Sequence, residues 1–216
     1  MKFLLFISAV MLMTAFYGCE PVVTFNEPQP AGVTNLSSFP GRLQGHYVSL
    51  ADSSTLTIND KLIRRIYDVH YKTSLNQLDS NERLNGDTLI DIRTNEKTIV
   101  VLDGDSIINH NEYSDTLIML DDDNVVRKWK GYYFISTRYE GESWEVRKIE
   151  QTKGELIISS ITARSDIDNL QELTESVQDT VPPYTFSVTK QQFSKFVQRN
   201  GFSDHEVFVR LQNKDH

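Results

Sequence analysis

Apolar and polar positions alternate in short runs along most of the chain, and turn residues, not helical periods, separate the runs. Between residues 43 and 162 the runs are LQGHYVSL (43–50), TLTI (55–58), IRRIYDVHYK (63–72), DTLIDIR (87–93), TIVVLD (98–103), DSIINH (105–110), DTLIMLD (115–121), NVVRKWKG (124–131), YYFISTRY (132–139), SWEVRKIE (143–150) and ELIISSIT (155–162). Period-two alternation over ~4–8 residues is the mark of a half-buried strand. The links NGD, LDGD, DDDN, YEGE and TKG supply Gly, Asn or Asp, residues that take positive φ or bond their own backbone in tight turns. Loops this short leave no room for crossover helices, so the pattern predicts an antiparallel meander. Trp144, Val146 and Ile149 set against Glu145, Arg147 and Lys148 predict one packed face and one wet face.

The pattern changes after Ile161. Ser165-Asp166-Ile167-Asp168 reads as a capping box that opens a short helix, with Ile167, Leu170 and Leu173 three apart. ESVQDT and Pro182-Pro183 break it, and YTFSVT (184–189) returns to strand. A second capping box, Thr189 to Gln192, precedes Phe193, Phe196 and Val197 on one helical face, and Asn200-Gly201 is a helix stop. HEVFVRLQ (205–212) is a final strand. The fold class expected is α+β and β-dominated, with two short C-terminal helices. The opening Leu43-x-Gly45-x-Tyr47, followed by Asp52-x-x-Thr55-Leu56-x-Ile58, resembles the first strands of lipocalin-like barrels, in which a Gly-x-aromatic motif plugs one end. The resemblance makes a closed barrel the alternative to an open meander.

At the amino terminus Lys2 precedes an apolar stretch from Phe3 to Phe16, interrupted only by Ser8 and Thr14. A bilayer span needs about 20 apolar residues, so this stretch suits the hydrophobic region of an export signal. Gly18 and Cys19 follow, and apolar character ends at Glu20-Pro21. A small residue before a Cys at this junction resembles the lipobox of bacterial lipoproteins, in the loose form, here with Phe16 and Tyr17, of Bacteroidota. That resemblance implies lipidation of Cys19 and an address in the bacterial cell envelope, at the outer membrane. Residues 1–18 are then a signal peptide and residues 19–42, which hold Pro21, Pro28, Pro30 and Pro40, a lipidated Pro-rich tether. Residues 43–216 form a single domain, with the β-meander over 43–162 and the α/β tail over 163–216. Val22, Val23, Phe25 and Phe39 leave open a second reading, in which the tether packs on the domain as a strap.

Composition mostly excludes. One Cys rules out intrachain disulfides, thiolate zinc sites and a CxxC pair. A net charge of −8 lacks the basic footprint of a nucleic-acid binder. No histidine falls in an HxH or HExxH spacing, and no phosphate loop, dinucleotide fingerprint or GxSxG elbow occurs, so no cofactor, metal or catalytic residue is expected. Ser203-Asp204-His205 is not a triad, because adjacent side chains diverge. Asp121-Asp122-Asp123-Asn124 reads as an acidic turn. Asp87-Thr88-Leu89, Asp105-Ser106-Ile107, Asp115-Thr116-Leu117 and Asp179-Thr180-Val181 resemble Bacteroidota O-glycosylation acceptors, which makes Thr88, Ser106, Thr116 and above all Thr180 candidates. Tyr47, Trp129, Tyr133 and Trp144 are the candidates to line a cavity for a small apolar ligand. Together these features point to a membrane-anchored, non-enzymatic module that binds an envelope protein, or to a carrier of such a ligand.

Overall fold

The structure is a computed structural model that describes residues 21–174 and 181–211. Strands β1 (Val23–Phe25) and β2 (Asn35–Leu36) come first, followed by β3 (Gly45–Ser49), β4 (Thr55–Ile58), β5 (Leu62–Ser74) and β6 (Glu82–Asn85). The middle of the chain forms β7 (Thr88–Asp91), β8 (Lys97–Asp103), β9 (Ser106–Met119), β10 (Asn124–Trp129), β11 (Tyr132–Arg138), β12 (Trp144–Thr152) and β13 (Glu155–Ser160). Helix α1 (Arg164–Thr174), β14 (Tyr184–Phe186), helix α2 (Lys190–Gln198) and β15 (Asp204–Arg210) complete it. With 51% strand and 12% helix, the fold is α+β and β-dominated.

The sheet runs β2-β10-β11-β12-β13-β15-β3-β4-β5-β9-β8-β7-β6. It is antiparallel except where β1 and β14 pair side by side, Val23 with Tyr184 and Phe25 with Phe186. The path has two free ends, so the sheet curls without closing and the barrel alternative is corrected. Closure fails at one corner: β9 and β10 follow each other through a tight turn, yet they part to pair with β5 and β11 instead. The meander also has two departures. The last strand, β15, is inserted between β13 and β3, and β5 pairs with β9, leaving β6, β7 and β8 beyond it.

Two apolar clusters hold the two faces. Inside the curl lie Phe39, Leu43, Tyr47, Leu56, Ile58, Ile63, Ile118, Val126, Tyr133, Ile135, Ile149, Leu156 and Phe208. On the outer face, α1, α2, β1 and β14 cover β11 and β12 with Phe25, Phe134, Val146, Ile167, Leu170, Phe186, Phe193, Phe196 and Phe202. Phe134 meets Phe193 edge-to-face at 5.1 Å, and Phe196 meets Phe202 at 5.3 Å. Each buried side chain of this size contributes about 1.5–3 kcal/mol. Both faces of β11 are therefore buried, which is why YYFI is a continuous apolar run. The same covering corrects the alternation expected of β12: Val146 faces the helices and Ile149 faces the inside of the curl.

Both helices form. Thr189 caps α2 with the expected reciprocal bonds to Gln192. Gly201 is required after it, because a Cβ there would meet the Phe196 ring at 2.4 Å. In contrast, α1 begins at Arg164, one residue before the capping box that was expected to open it. Asp166 is buried and accepts bonds from the backbone N–H and hydroxyl of Ser203, both at 2.9 Å.

From Val22 on, the segment expected to be an extended tether is the strap. Val23, Thr24 and Phe25 are buried as β1, and Phe39 is fully buried. Its prolines carry no N–H but leave carbonyls to be satisfied, and Arg127 does this. The guanidinium of Arg127 donates to the carbonyls of Pro28 and Pro30 and to Oδ1 of Asn35 at 2.7 Å. Burial pulls the Arg127 guanidinium below its ordinary pKa, partly offset by Glu27.

Candidate functional site

Along β15 the inside of the curl has two different ends. At one end Arg210 pairs in register with Tyr47. Its Nη2 donates to the Arg42 carbonyl, the Gln44 carbonyl and the Tyr47 hydroxyl, each at 2.7 Å. Its plane lies 5.1 Å over the Tyr47 ring, and the Tyr47 hydroxyl donates onward to the Leu43 carbonyl at 2.8 Å. Gly45 has φ 142°, a backbone conformation that favours glycine, and a Cβ there would lie against the Arg210 guanidinium at 3.4 Å. Arg42 lies 4.9 Å over Tyr133 on the same side. This end is closed.

The other end opens into a cleft of about 280 Å³. Ile63, Ile118, Ile135, Ile158 and Phe208 form an apolar floor, and Arg65, Arg147, Asp204, His205 and Glu206 form the rim. A bulge between β5 and β9 leaves Leu117 without a partner. Two consecutive residues, Leu117 and Ile118, line the cleft there, which regular alternation forbids.

Arg65 organises the rim. Its Nε donates to the Ser54 hydroxyl at 2.7 Å, and its two terminal nitrogens reach Glu206 at 2.9 and 2.5 Å and Asp52 at 2.9 Å. Phe208 packs 5.5 Å beneath it. Desolvation works against the Arg65 charge, but Glu206 and Asp52 outweigh it and push the guanidinium pKa up. At Asp52, burial acts to raise the carboxyl, whereas hydrogen bonds from the Ser54 hydroxyl and backbone, with Arg65, lower it from 3.8 to about 2. Arg147 is held by Glu145 at 3.1 Å. Both rim arginines are thus paired to carboxylates, and the geometry offers an apolar seat under a fixed charged lip.

None of the four aromatic residues expected to line a cavity lines this cleft. Tyr47 and Tyr133 are buried at the closed end. Trp144 is 6% exposed under the Arg138 guanidinium, and Trp129 lies between Lys130 and Lys190. The floor is instead four isoleucines and Phe208, supplied by inward positions of five strands far apart in sequence. Of the acceptor threonines and serines, Thr116 is exposed, Thr88 is half-buried, and Ser106 is buried and bonded to Asp105. That burial removes Ser106 as an accessible acceptor. Cys19 and Thr180 lie outside the described residues.

The adjacent Ser203, Asp204 and His205 do diverge: Ser203 bonds Asp166 and Asp204 accepts from Thr162 at 3.1 Å. Asp121 is an acidic turn, whose carboxylate accepts from the Asp123 and Asn124 backbones at 2.9 and 2.8 Å. Among the described residues, one group of side chains could hold a metal ion: Asp68, His70 and His110, on the ribbon formed by β5 and β9. No family model, curated protein or solved structure matches this chain.

Proposed function

We propose that this protein is a lipid-anchored module of the bacterial envelope that binds rather than catalyses, with the open-end cleft as its binding site. The observation that carries the binding half is the cleft itself, an apolar floor beneath a rim whose arginines are already paired. The anchoring half is supported by the apolar stretch that ends at Gly18-Cys19. On this reading the strap shortens the leash. Cys19 and Val23 are four residues apart, and extended chain spans at most ~3.3–3.6 Å per residue, so the domain rides within roughly 15 Å of the lipid. Changing Cys19→Ser in the full chain is expected to move the protein from the membrane to the soluble fraction. Unchanged membrane partition of that variant overturns the anchor.

The apolar floor favours a small apolar ligand over a protein surface as the occupant. At about 280 Å³ the cleft is at the small end of the ~300–1,000 Å³ range of ligand sites. Ile135→Trp fills it, so a fluorescent fatty-acid probe is expected to bind the parent chain and to lose at least ~10-fold in affinity in the variant. Equal affinity in both chains defeats the carrier reading.

A further inference from the structure

We propose that Asp68, His70 and His110 form a binding site for a divalent transition metal ion, of which Zn²⁺ is the representative. The site stands on the two-stranded ribbon of β5 and β9, on the opposite face from Arg65, and owes nothing to the cleft. His70 and His110 are cross-strand partners in register, and Asp68 is paired with Glu112 two residues along. Residues two apart on a strand share a face, so all four side chains belong to one face of the ribbon. The imidazole rings of His70 and His110 stack with centroids 4.9 Å apart and planes 10° from parallel. Asp68 Oδ1 bridges them: it lies 3.4 Å from Nε2 of His70 and in closer contact with Nε2 of His110. One ligand atom from each of the three lies within 4.8 Å of the others.

Those separations are within side-chain reach of one small ion. Zinc takes imidazole nitrogen and carboxylate oxygen at ~2.0–2.2 Å in a tetrahedron, which sets ligand atoms about 3.3–3.5 Å apart. The Asp68–His70 spacing of 3.4 Å already meets this. Binding requires the closer Asp68–His110 contact to lengthen and the two imidazole nitrogens to settle around the ion, movements open to side chains that are 60% and 54% exposed. Glu112 lies across from Asp68 on the same face but outside the three-residue group, so solvent fills the fourth position. Two imidazoles with one carboxylate select zinc, copper or nickel; calcium and magnesium prefer sets made wholly of oxygen. The sequence hides the site because its two parts, Asp68-x-His70 and His110, are brought together only by the pairing of β5 with β9.

A bound ion would cross-link the two strands midway along the ribbon. It would thereby stiffen the attachment of β6, β7 and β8, which hang from β9. The test is isothermal titration of the chelator-stripped full chain in detergent with ZnCl₂, together with hydrogen exchange of the β5 and β9 amides. One Zn²⁺ per chain and slowed exchange in the ribbon are expected. His70→Gln and His110→Gln should each weaken binding at least as much as the ~10–100-fold lost when a group that merely orients a ligand is removed. Asp68→Asn is expected to weaken it less, and His46→Gln and His216→Gln not at all. All the mutated ribbon side chains are exposed, so unchanged thermal melting of the variants is expected and separates lost binding from lost fold. Absence of Zn²⁺ binding at millimolar concentration, or the same affinity in the His70→Gln/His110→Gln double variant, overturns the proposal.

Discussion

The two ends of the curled sheet are each governed by an inward-facing arginine, and they differ in what the arginine meets. At the closed end Arg210 is satisfied by two backbone carbonyls and the Tyr47 hydroxyl, with the ring of Tyr47 under it. At the open end Arg65 is satisfied by two carboxylates and a hydroxyl. Neutral acceptors let the chain close around the guanidinium, with the Tyr47 ring beneath it fully buried. Carboxylates need some solvent to stay charged at modest cost: Asp52 is 42% and Glu206 31% exposed, and a cleft remains. The same cationic residue therefore ends one side of the core as a plug and the other as a lip.

Three experiments sharpen or break that contrast. Tyr47→Ala should have the largest effect, because it empties a fully buried ring site and strips Arg210 of an acceptor. A loss of about 3–5 kcal/mol in urea unfolding is expected, and a loss below about 1 kcal/mol would show that this end is not closed by packing. Arg65→Met comes next. It leaves Glu206 and Asp52 without their cation, but both carboxylates reach solvent, so about 1–2 kcal/mol is expected by the same measurement. A loss as large as that of Tyr47→Ala would make the two ends equivalent.

The pH dependence is the smallest effect and distinguishes the ends most cleanly. The Asp52 carboxyl is held at about 2 in the folded chain against 3.8 ordinarily, so between those values the unfolded chain binds more protons. The stability contributed by Asp52 is present above about pH 4 and is lost as pH falls towards 2. Solvent screening keeps it below about 1 kcal/mol. Thermal melting between pH 4 and pH 2 should show a shallower decline in Arg65→Met, with Ser54 still holding part of the effect. An equal decline in both chains would assign the acid sensitivity elsewhere.

Much of the framework was legible because short loops and half-buried strands leave local marks. TLTI is β4 to the residue, and the Thr189–Gln192 capping box opens α2. What escaped was structure with no one-sided burial. Strand β9 spans 14 residues, yet the polar stretch NEYSD in its middle is wet on both faces, so it read as two strands. β1 and β2 were hidden inside a proline-rich segment whose backbone is satisfied by Arg127, 92 residues beyond Asn35. The cleft escaped for a related reason. Its floor is built mostly of isoleucines that look like any other core, and only the curl shows which of them face an opening. The aromatic residues, which seemed the natural lining, are the ones that packing uses up.

The position of β15 has a bearing on how the chain comes to be folded at all. It is the last element in sequence but lies in the middle of the sheet, between β13 and β3. Without β15 no strand joins β13 to β3 along the sheet, and the core that holds Tyr47 lacks Phe208. Pairings of such long sequence separation are slow and come late. A chain in which β15 has not yet paired therefore holds two unfinished stretches of sheet with exposed edges, and the docking of that one strand joins them.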